Sequence, residues 1–564
     1  MILFLNILKM NKLHSFLTHK AKCAALALLV ALTLLPAQAQ NDFEIAKNVD
    51  IFVTILRELN AKYADEITPG DLTKTAIDAM LETLDPYTVY YTENEIEDVK
   101  MLTSGQYGGI GALIQQYDKD RVAISEIYED CPAHKAGLLA GDIIQKIDGK
   151  SVAGKNSTDV STAMRGQPGT TVTLEVFRPS KNKTLTFNIQ REEVQLPTVP
   201  YYGMVDDNIG YIKLDQFTDK ASKEVKDAFN ELKTKGMKAL IFDLRNNGGG
   251  LLQEAVKIMN IFVDQNTVIV TTKGKLEAQN NTFRTPAPVT DKEIPVVVIV
   301  NENSASASEI VSGAFQDLDR GVIIGKKSFG KGLVQNVVPL SFNSSMKLTV
   351  SKYYIPSGRC VQKIEYFSKD STQSHAVIPD SLAVAYKTKN GRTVYDKGGI
   401  EPDVITPDVY ASNVLTALIL NHLVFDFCNQ YHAEHTMIPP ADQFRVDDEL
   451  YQEFVDFLKN KNYEYTTETE EAMADLKEVA EFEKYYDRIE ALYKQLEQVL
   501  KEQKTADLQT YKEEISELLA SEIAVRYYYQ KGRIMNELSV DPDIATAKEI
   551  LKDSARYRSI LHLK

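Results

Sequence analysis

Apolar residues recur at helical spacing near the start of the chain: Phe43, Ile45, Ala46, Val49, Phe52, Ile55, Leu56 and Leu59. The spacing predicts helix over much of 43–98, with a second helix starting near Pro69-Gly70-Asp71 and running to Leu84. Leu84-Asp85-Pro86-Tyr87 breaks that helix, because proline disfavours helical geometry at the residue before it. From 101 to 193 the pattern changes to Gly-rich turns and short alternating strands. Candidates are the strand at 122–128, a short helix, turn and strand across 131–152, and an alternating strand within 166–178. From 194 to 405, apolar runs at 208–214, 238–245, 295–301, 321–325 and 346–355 are separated by amphipathic helices such as 218–235 and 250–262. Unbroken apolar strands alternating with helices predict a largely parallel sheet covered on both faces. Helical periodicity returns at 449–459, 465–502 and 508–537, with many Glu–Lys neighbours. Without a clean heptad repeat, this reads as a solvated helical extension packed on the core, ahead of a coiled coil.

The first forty residues are set apart. His19, Lys20 and Lys22 precede an apolar run from Cys23 to Leu35, and Pro36-Ala37-Gln38-Ala39 offers small residues for a cut after Ala39. That is the pattern of a secretory signal. The run is shorter than the ~20 residues a membrane span needs, so an uncleaved anchor is the weaker reading. Met10 competes with Met1 as the true start. The expected organisation is therefore 1–39 signal peptide, 40–100 N-terminal helical region, 101–193 β-rich module, 194–405 α/β domain and 406–564 helical extension.

Composition alters little. With 44% hydrophobic and 25% charged residues in 564, the chain is ordinary soluble globular protein of several domains. A net charge of −15 argues against nucleic acid as a partner, since phosphate binding needs clustered Lys and Arg. Once Cys23 leaves with the signal, Cys131, Cys360 and Cys428 remain, an odd and sparse set that makes no disulfide framework.

Candidate chemistry is concentrated in three segments. NENSASASEIVSGAFQDL (301–318) follows an apolar strand and opens a helix with small residues. A serine at that junction has unpaired backbone N–H groups beside it and a helix N-terminus that favours developing negative charge. Taken alone, Ser304, Ser306 and Ser308 serve equally well as caps and small packing residues. SFGKGLVQ (328–335) holds a lysine between glycines. To act as a base, that lysine must lose its proton well below its usual ~10.4. An exposed lysine on a glycine turn is the plainer alternative. DLRNNGGGLLQEA (243–255) ends a strand and opens a helix, suiting backbone N–H donation to an anion, either phosphate or an oxyanion. It lacks G-K-[ST] and G-x-G-x-x-G, so both nucleotide readings are weak. There is no G-x-S-x-G elbow and no H-E-x-x-H helix. His134, His375, His422, His432, His435 and His562 all fall outside the two marked Ser and Lys segments. A Ser–His–Asp triad is therefore poorly supported, and no metal or other cofactor is expected.

Taken in order, LDPYT, YGGIG, DLRNNGGGLL, SASASEI, FGKGLVQ and GGIEPDV resemble the C-terminal processing peptidases, or tail-specific proteases, over roughly 43–405. The resemblance implies a multidomain α+β fold: a crotonase/ClpP-like α/β protease core, an inserted or preceding PDZ domain at 101–193, and helical N- and C-terminal regions. It implies Ser306 as nucleophile, Lys331 as general base and Gln335 orienting the lysine amine. It also implies the backbone N–H groups of Gly249 and Ala307 as oxyanion donors. Gly248 stands where the family usually has proline, which loosens that loop. Asp317 matches an acidic residue sometimes grouped with the dyad and is read as structural. The Tyr107-Gly108-Gly109-Ile110-Gly111 loop would receive a substrate's C-terminal carboxylate, with Ile110 and Leu113 lining an apolar pocket. Arg165 would couple the PDZ domain to the catalytic domain, or be a solvated turn residue. The implied protein is an exported, periplasmic or cell-envelope serine endopeptidase acting through an acyl-enzyme on proteins with apolar tails. Its C-terminal helices would be a candidate surface for an adaptor or a homo-oligomer. The competing class is a peptide-binding scaffold with a dormant site.

Overall fold

The computed structural model describes residues 41–95, 100–101, 103–366, 376–377, 380–396, 398–408 and 410–563. The expected signal segment 1–39 and His375 lie outside the described residues. The chain divides into two units, Met1–Pro86 and Tyr87–Lys564. In the first, a helix spans 41–62 and a second runs Pro69–Glu82. Proline opens the second helix, where its missing N–H costs nothing. Helix does not continue to 98 as periodicity suggested: Val89–Tyr91 is a strand, antiparallel to Ser345–Lys347.

In the second unit, the β-rich module is an antiparallel sheet. Its strand order is Ala112–Gln116, Val122–Ile127, Ile143–Ile147, Thr171–Arg178 and Lys183–Gln190. Burial alternates along Thr171–Arg178. Val172, Leu174 and Val176 share a core with Ile124 of the same sheet and with Val160 and Met164 of helix Ser157–Met164.

The α/β region holds a six-stranded sheet. Its order is Tyr201–Met204, Ile209–Lys213, Ala239–Asp243, Val296–Val300, Val322–Gly325 and Val404–Ile405, parallel except for the first pair. Val296–Val300 is buried at every position, as a strand covered on both faces must be. One face packs against helices Ala221–Thr234, Leu252–Met259 and Ala307–Asp317 through residues such as Phe229, Phe262 and Phe315.

The other face is covered from the far end of the chain. Ile544, Ala547 and Ile550 of helix Pro542–Lys552, with Tyr557 and Leu561, pack onto Ile241, Val297, Ile299 and Ile324. The last part of the helical extension is thus a layer of the α/β domain. The helices before it have a separate core around Phe427, Phe454 and Leu519.

Two expectations need correcting. The run at 346–355 does not join the parallel sheet. Ser345–Tyr354 lies in a separate antiparallel sheet with Val89–Tyr91, Leu333–Pro339, Val268–Gly274 and Asn281–Arg284. Its positions are mostly half-buried, the mark of a strand covered on one face. The segment 465–502 is not one helix either. Glu468–Phe482 and Tyr486–Thr510 are separated by a turn in which Lys484 has φ 61°.

Candidate active site

Strand Val296–Val300 delivers the chain to Asn301, and helix Ala307–Asp317 starts six residues later. Ser306 sits at the helix N-cap with φ 56° and ψ −111°. A non-glycine residue there carries roughly 1–3 kcal/mol of strain, retained only where the surroundings over-determine it. The flanking serines help to over-determine it. Buried Ser304 donates its hydroxyl to the Leu244 carbonyl at 2.8 Å, and buried Ser308 donates to the Asn247 carbonyl at 2.8 Å. Both hydroxyls therefore hold the glycine-rich loop, while half-buried Ser306 lines an open cleft. Ser304→Ala and Ser308→Ala are expected to keep cleavage within about tenfold of wild type and to lower stability by about 1–2 kcal/mol each. Denaturant melts and progress curves on the two variants check this.

Lys331 lines the same cleft of about 750 Å³, together with Gln335, Gly249 and the apolar Leu252, Phe283 and Ile310. The turn before it explains the pairing of FGKG with GGIEPDV. Gly330 has φ +90°, and a Cβ there would lie 2.6 Å from the Lys363 Cβ and 3.1 Å from the Gly399 nitrogen. The lysine Nζ lies 4.3 Å from the ring centroid of Tyr87, which gives LDPYT a place at the site. Gln335 donates its Nε2 to Thr349 Oγ1 at 3.3 Å.

One residue joins the two segments, and the sequence reading missed it. Glu309 is fully buried. Its Oε2 accepts from the backbone N–H of Ser306 at 2.9 Å and of Lys331 at 2.8 Å. Its Oε1 accepts from the Gly330 N–H and the Ser328 hydroxyl, both at 2.7 Å. Burial pushes its carboxyl above the usual range, and these donors oppose the shift. The available signal was the S-x-x-E spacing of a capping box, Ser306 to Glu309. From the other side, buried Tyr353 donates its hydroxyl to the Ser306 carbonyl at 3.2 Å.

The glycine loop approaches as the sequence suggested, with one difference. Gly249 has φ +103°, and a Cβ there would lie 2.8 Å from the Ser306 Cβ and 3.0 Å from the Ala307 nitrogen. Only glycine fits. However, the Gly249 N–H donates to Asn247 Oδ1 at 2.9 Å, so this expected donor is engaged within its own loop. Asn247 is fully buried, and its Nδ2 donates to the Leu214 carbonyl at 2.7 Å. At the loop's base, burial by itself would raise the Asp243 carboxyl, but Arg245 and Lys213 hold it well below the usual range. A folded-state carboxyl held low makes the unfolded chain the better proton acceptor. Stability from Asp243 is therefore present above its ordinary value of 3.8 and lost as pH falls through and below it. Asp243→Asn should flatten that acid limb in chemical-denaturation curves.

Asp317, by contrast, is buried against Arg359 at 2.9 Å and accepts from the Ser357 N–H, which is a structural role.

In the β-rich module a groove of about 330 Å³ runs between strand Ala112–Gln116 and helix Ser157–Met164, with Tyr107, Ile110, Leu113 and Arg165 along it. The expected five-residue loop is shorter. Tyr107, Gly108 and Gly109 belong to strand Gln106–Gly109, paired with Glu192–Gln195, because the following glycine turn starts only at Ile110. Ile110 is part of the module's core. Burial pushes the Tyr107 hydroxyl up to about 12. The Arg165 guanidinium stands 5.5 Å from the Tyr107 ring centroid, at the groove rather than in the Ser306 cleft.

A strained serine at a helix start, a lysine whose backbone N–H shares one carboxylate with it, and a glycine loop against the serine thus stand together at one cleft. Comparisons with known proteins identify the family. The model of peptidase family S41 matches 208–373, that of the PDZ domain 124–178, and that of the C-terminal helical domain of probable PDZ-proteases 414–551. The carboxy-terminal-processing protease of Bartonella bacilliformis is 38% identical over 330 residues, covering 57% of this chain and 75% of the relative. A probable CtpA-like serine protease of Staphylococcus haemolyticus is 36% identical over 346 residues, covering 60% and 69%. The solved photosystem II D1 C-terminal processing protease is 26% identical, covering 63% of this chain and 92% of that one, with a TM-score of 0.34. The chain belongs to the C-terminal processing peptidases: it is a serine-type peptidase with a PDZ domain and a helical C-terminal region.

Proposed function

We propose that this peptidase uses a Ser306–Lys331 dyad to cleave exported proteins captured by apolar C-terminal tails. The observation that carries the reading is the Glu309 carboxylate, whose Oε2 takes the backbone N–H of both residues and so holds the two segments beside one cleft. Neutral Lys331 takes the hydroxyl proton as Ser306 Oγ attacks the scissile carbonyl carbon. The oxyanion is held by the Ala307 N–H, at the positive end of its helix, and by the Gly249 N–H as it turns from Asn247 Oδ1. Collapse breaks the C–N bond, the departing amine takes the proton from Lys331, and water then hydrolyses the acyl-enzyme. Gln335 orients the lysine amine when substrate is present. The core is read as crotonase/ClpP-like.

Tails dock by adding a strand to Ala112–Gln116, an edge strand of its sheet, with the Ile110-Gly111 turn at the carboxylate and Leu113 in the apolar pocket. On this reading Arg165, whose guanidinium stands 5.5 Å from the Tyr107 ring centroid, couples tail binding to the catalytic domain; a solvated turn arginine is the alternative. The signal-like segment 1–39 supports export to the periplasm or cell envelope. The C-terminal helices are the surface for an adaptor or a second copy.

The test is digestion of an unstructured protein with an apolar tail by wild type and by Ser306→Ala, with products identified by mass spectrometry. Tail-dependent cleavage by wild type alone is expected. Tight tail binding without turnover by wild type would replace this reading with that of a peptide-binding scaffold.

A further inference from the structure

The glycine loop is tied down from the far end of the chain as well as from the nucleophile segment. Arg245, four residues before Gly249, is mostly buried among carboxylates. Its Nη2 lies 2.6 Å from Asp243 Oδ2 and 2.7 Å from Asp541 Oδ2, and its Nη1 lies 3.1 Å from Asp543 Oδ2. Asp541 and Asp543 stand at the start of helix Pro542–Lys552, and Asp541 also caps that helix by accepting from the Asp543 and Ile544 N–H groups. A second tether lies beside the first. Gln530 Nε2 donates to Asp215 Oδ2 at 3.0 Å, Asp215 pairs with Lys213 at 3.4 Å, and Lys213 Nζ donates to the Arg245 carbonyl at 3.3 Å. Both the side chain and the carbonyl of Arg245 are therefore reached from the C-terminal helices.

We propose that Asp541 and Asp543 are positioning residues for the loop that carries Gly249, so that the C-terminal helical region completes the active site. The inference rests on the reading of Gly249 as an oxyanion donor. Helix Pro542–Lys552 does not need these carboxylates to stay in place. Ile544, Ala547 and Ile550 are fully buried on the sheet, and Tyr557 exchanges hydrogen bonds with the Val296 backbone. Removing the two charges leaves Arg245 neutralised by Asp243 but free to turn toward that one partner. The chain from Arg245 to Gly249 then loses the restraint on the Arg245 side chain, keeping only the Lys213 bond to the Arg245 carbonyl on its outer side, while Ser304 and Ser308 still hold its inner side. A displacement of about 1 Å at a reacting geometry costs on the order of 10²-fold in rate.

The double variant Asp541→Asn, Asp543→Asn keeps oxygen acceptors for the helix cap and removes both charges. Its kcat is expected to fall about 10- to 100-fold with KM within about twofold. Affinity for a blocked peptide aldehyde, which forms an oxyanion on Ser306, is expected to fall by the same factor as kcat. Tail-peptide binding to the PDZ domain stays at the wild-type value, and the Asp541→Glu single variant retains most of the activity. If the double variant turns over at the wild-type rate, or its loss vanishes when rates are corrected for the folded fraction, the positioning role is wrong. Inactive Ser306→Ala beside a fully active double variant overturns this inference alone. Active Ser306→Ala overturns the dyad and this inference with it.

Discussion

Ser306→Ala and Lys331→Ala are each expected to lower kcat by about 10⁴-fold or more, with affinity for an apolar tail peptide unchanged. In the proposed dyad, nucleophile and base act as one unit, so either loss removes nearly the whole chemical advantage, and the activity left over comes from the oxyanion donors and binding. The double variant should then be little worse than either single one. Tail affinity survives because the peptide groove is lined by residues of the PDZ module, and neither side chain lies along it. Stability should change little in Ser306→Ala, since the backbone bonds that hold this turn, from Ser306 N–H to Glu309 and from Tyr353 to the Ser306 carbonyl, do not involve the serine side chain. Single-turnover kinetics and isothermal titration with a tail peptide separate the two quantities. Additive losses in the double variant would mean that the two side chains do not work together.

Glu309→Ala is expected to remove both stability and activity. It strands the N–H groups of Ser306, Gly330 and Lys331 and the Ser328 hydroxyl in a fully buried site. Each unsatisfied buried donor costs about 1–3 kcal/mol, so a loss of at least 3 kcal/mol is expected even if some of them find other partners. Glu309→Gln separates the two effects. It keeps one acceptor oxygen and presents an NH₂ to the remaining donors, so the fold should survive while one side of the clamp opens. Its kcat should fall by about 10²-fold or more, since the turn carrying Lys331 is no longer held to the turn carrying Ser306. A Glu309→Gln protein that melts like wild type and cleaves like wild type would show that the clamp does not set the geometry. The clamp also links with the tether at Arg245. Ser306 is held through its N–H by Glu309, its neighbours Ser304 and Ser308 hold the glycine loop, and Asp541 and Asp543 hold that loop from outside.

Much of this was legible in the chain itself. Runs such as Val296–Val300 are apolar at every position because both faces of the strand are covered, and that alone predicts a buried parallel strand. The β-rich module was legible for the opposite reason, since its strands alternate and most of its glycines fall at turns, Gly108 and Gly109 excepted. The six ordered motifs led to the family, and to Ser306 and Lys331, before any geometry was known. Periodicity misled where the partner was remote. Ser345–Tyr354 reads as one more strand of the α/β run, but its half-buried pattern belongs to a separate antiparallel sheet.

By itself, then, the sequence determined the class of most elements, the order of the modules and the family, and it singled out Ser306 and Lys331 as the candidates for the proposed dyad, because local propensity and burial leave a periodic trace and the motifs are contiguous. The tertiary structure alone decided that Glu309 holds Ser306 and Lys331 to one carboxylate. It alone decided that Gly249 donates to Asn247, and that helix Pro542–Lys552 forms a layer of the catalytic domain with its aspartates on Arg245. Most of these contacts join separate segments, as far as 298 residues apart for Arg245 and Asp543, and even the short Gly249–Asn247 bond depends on the loop's final geometry, so none leaves a period that a chain read in order can display.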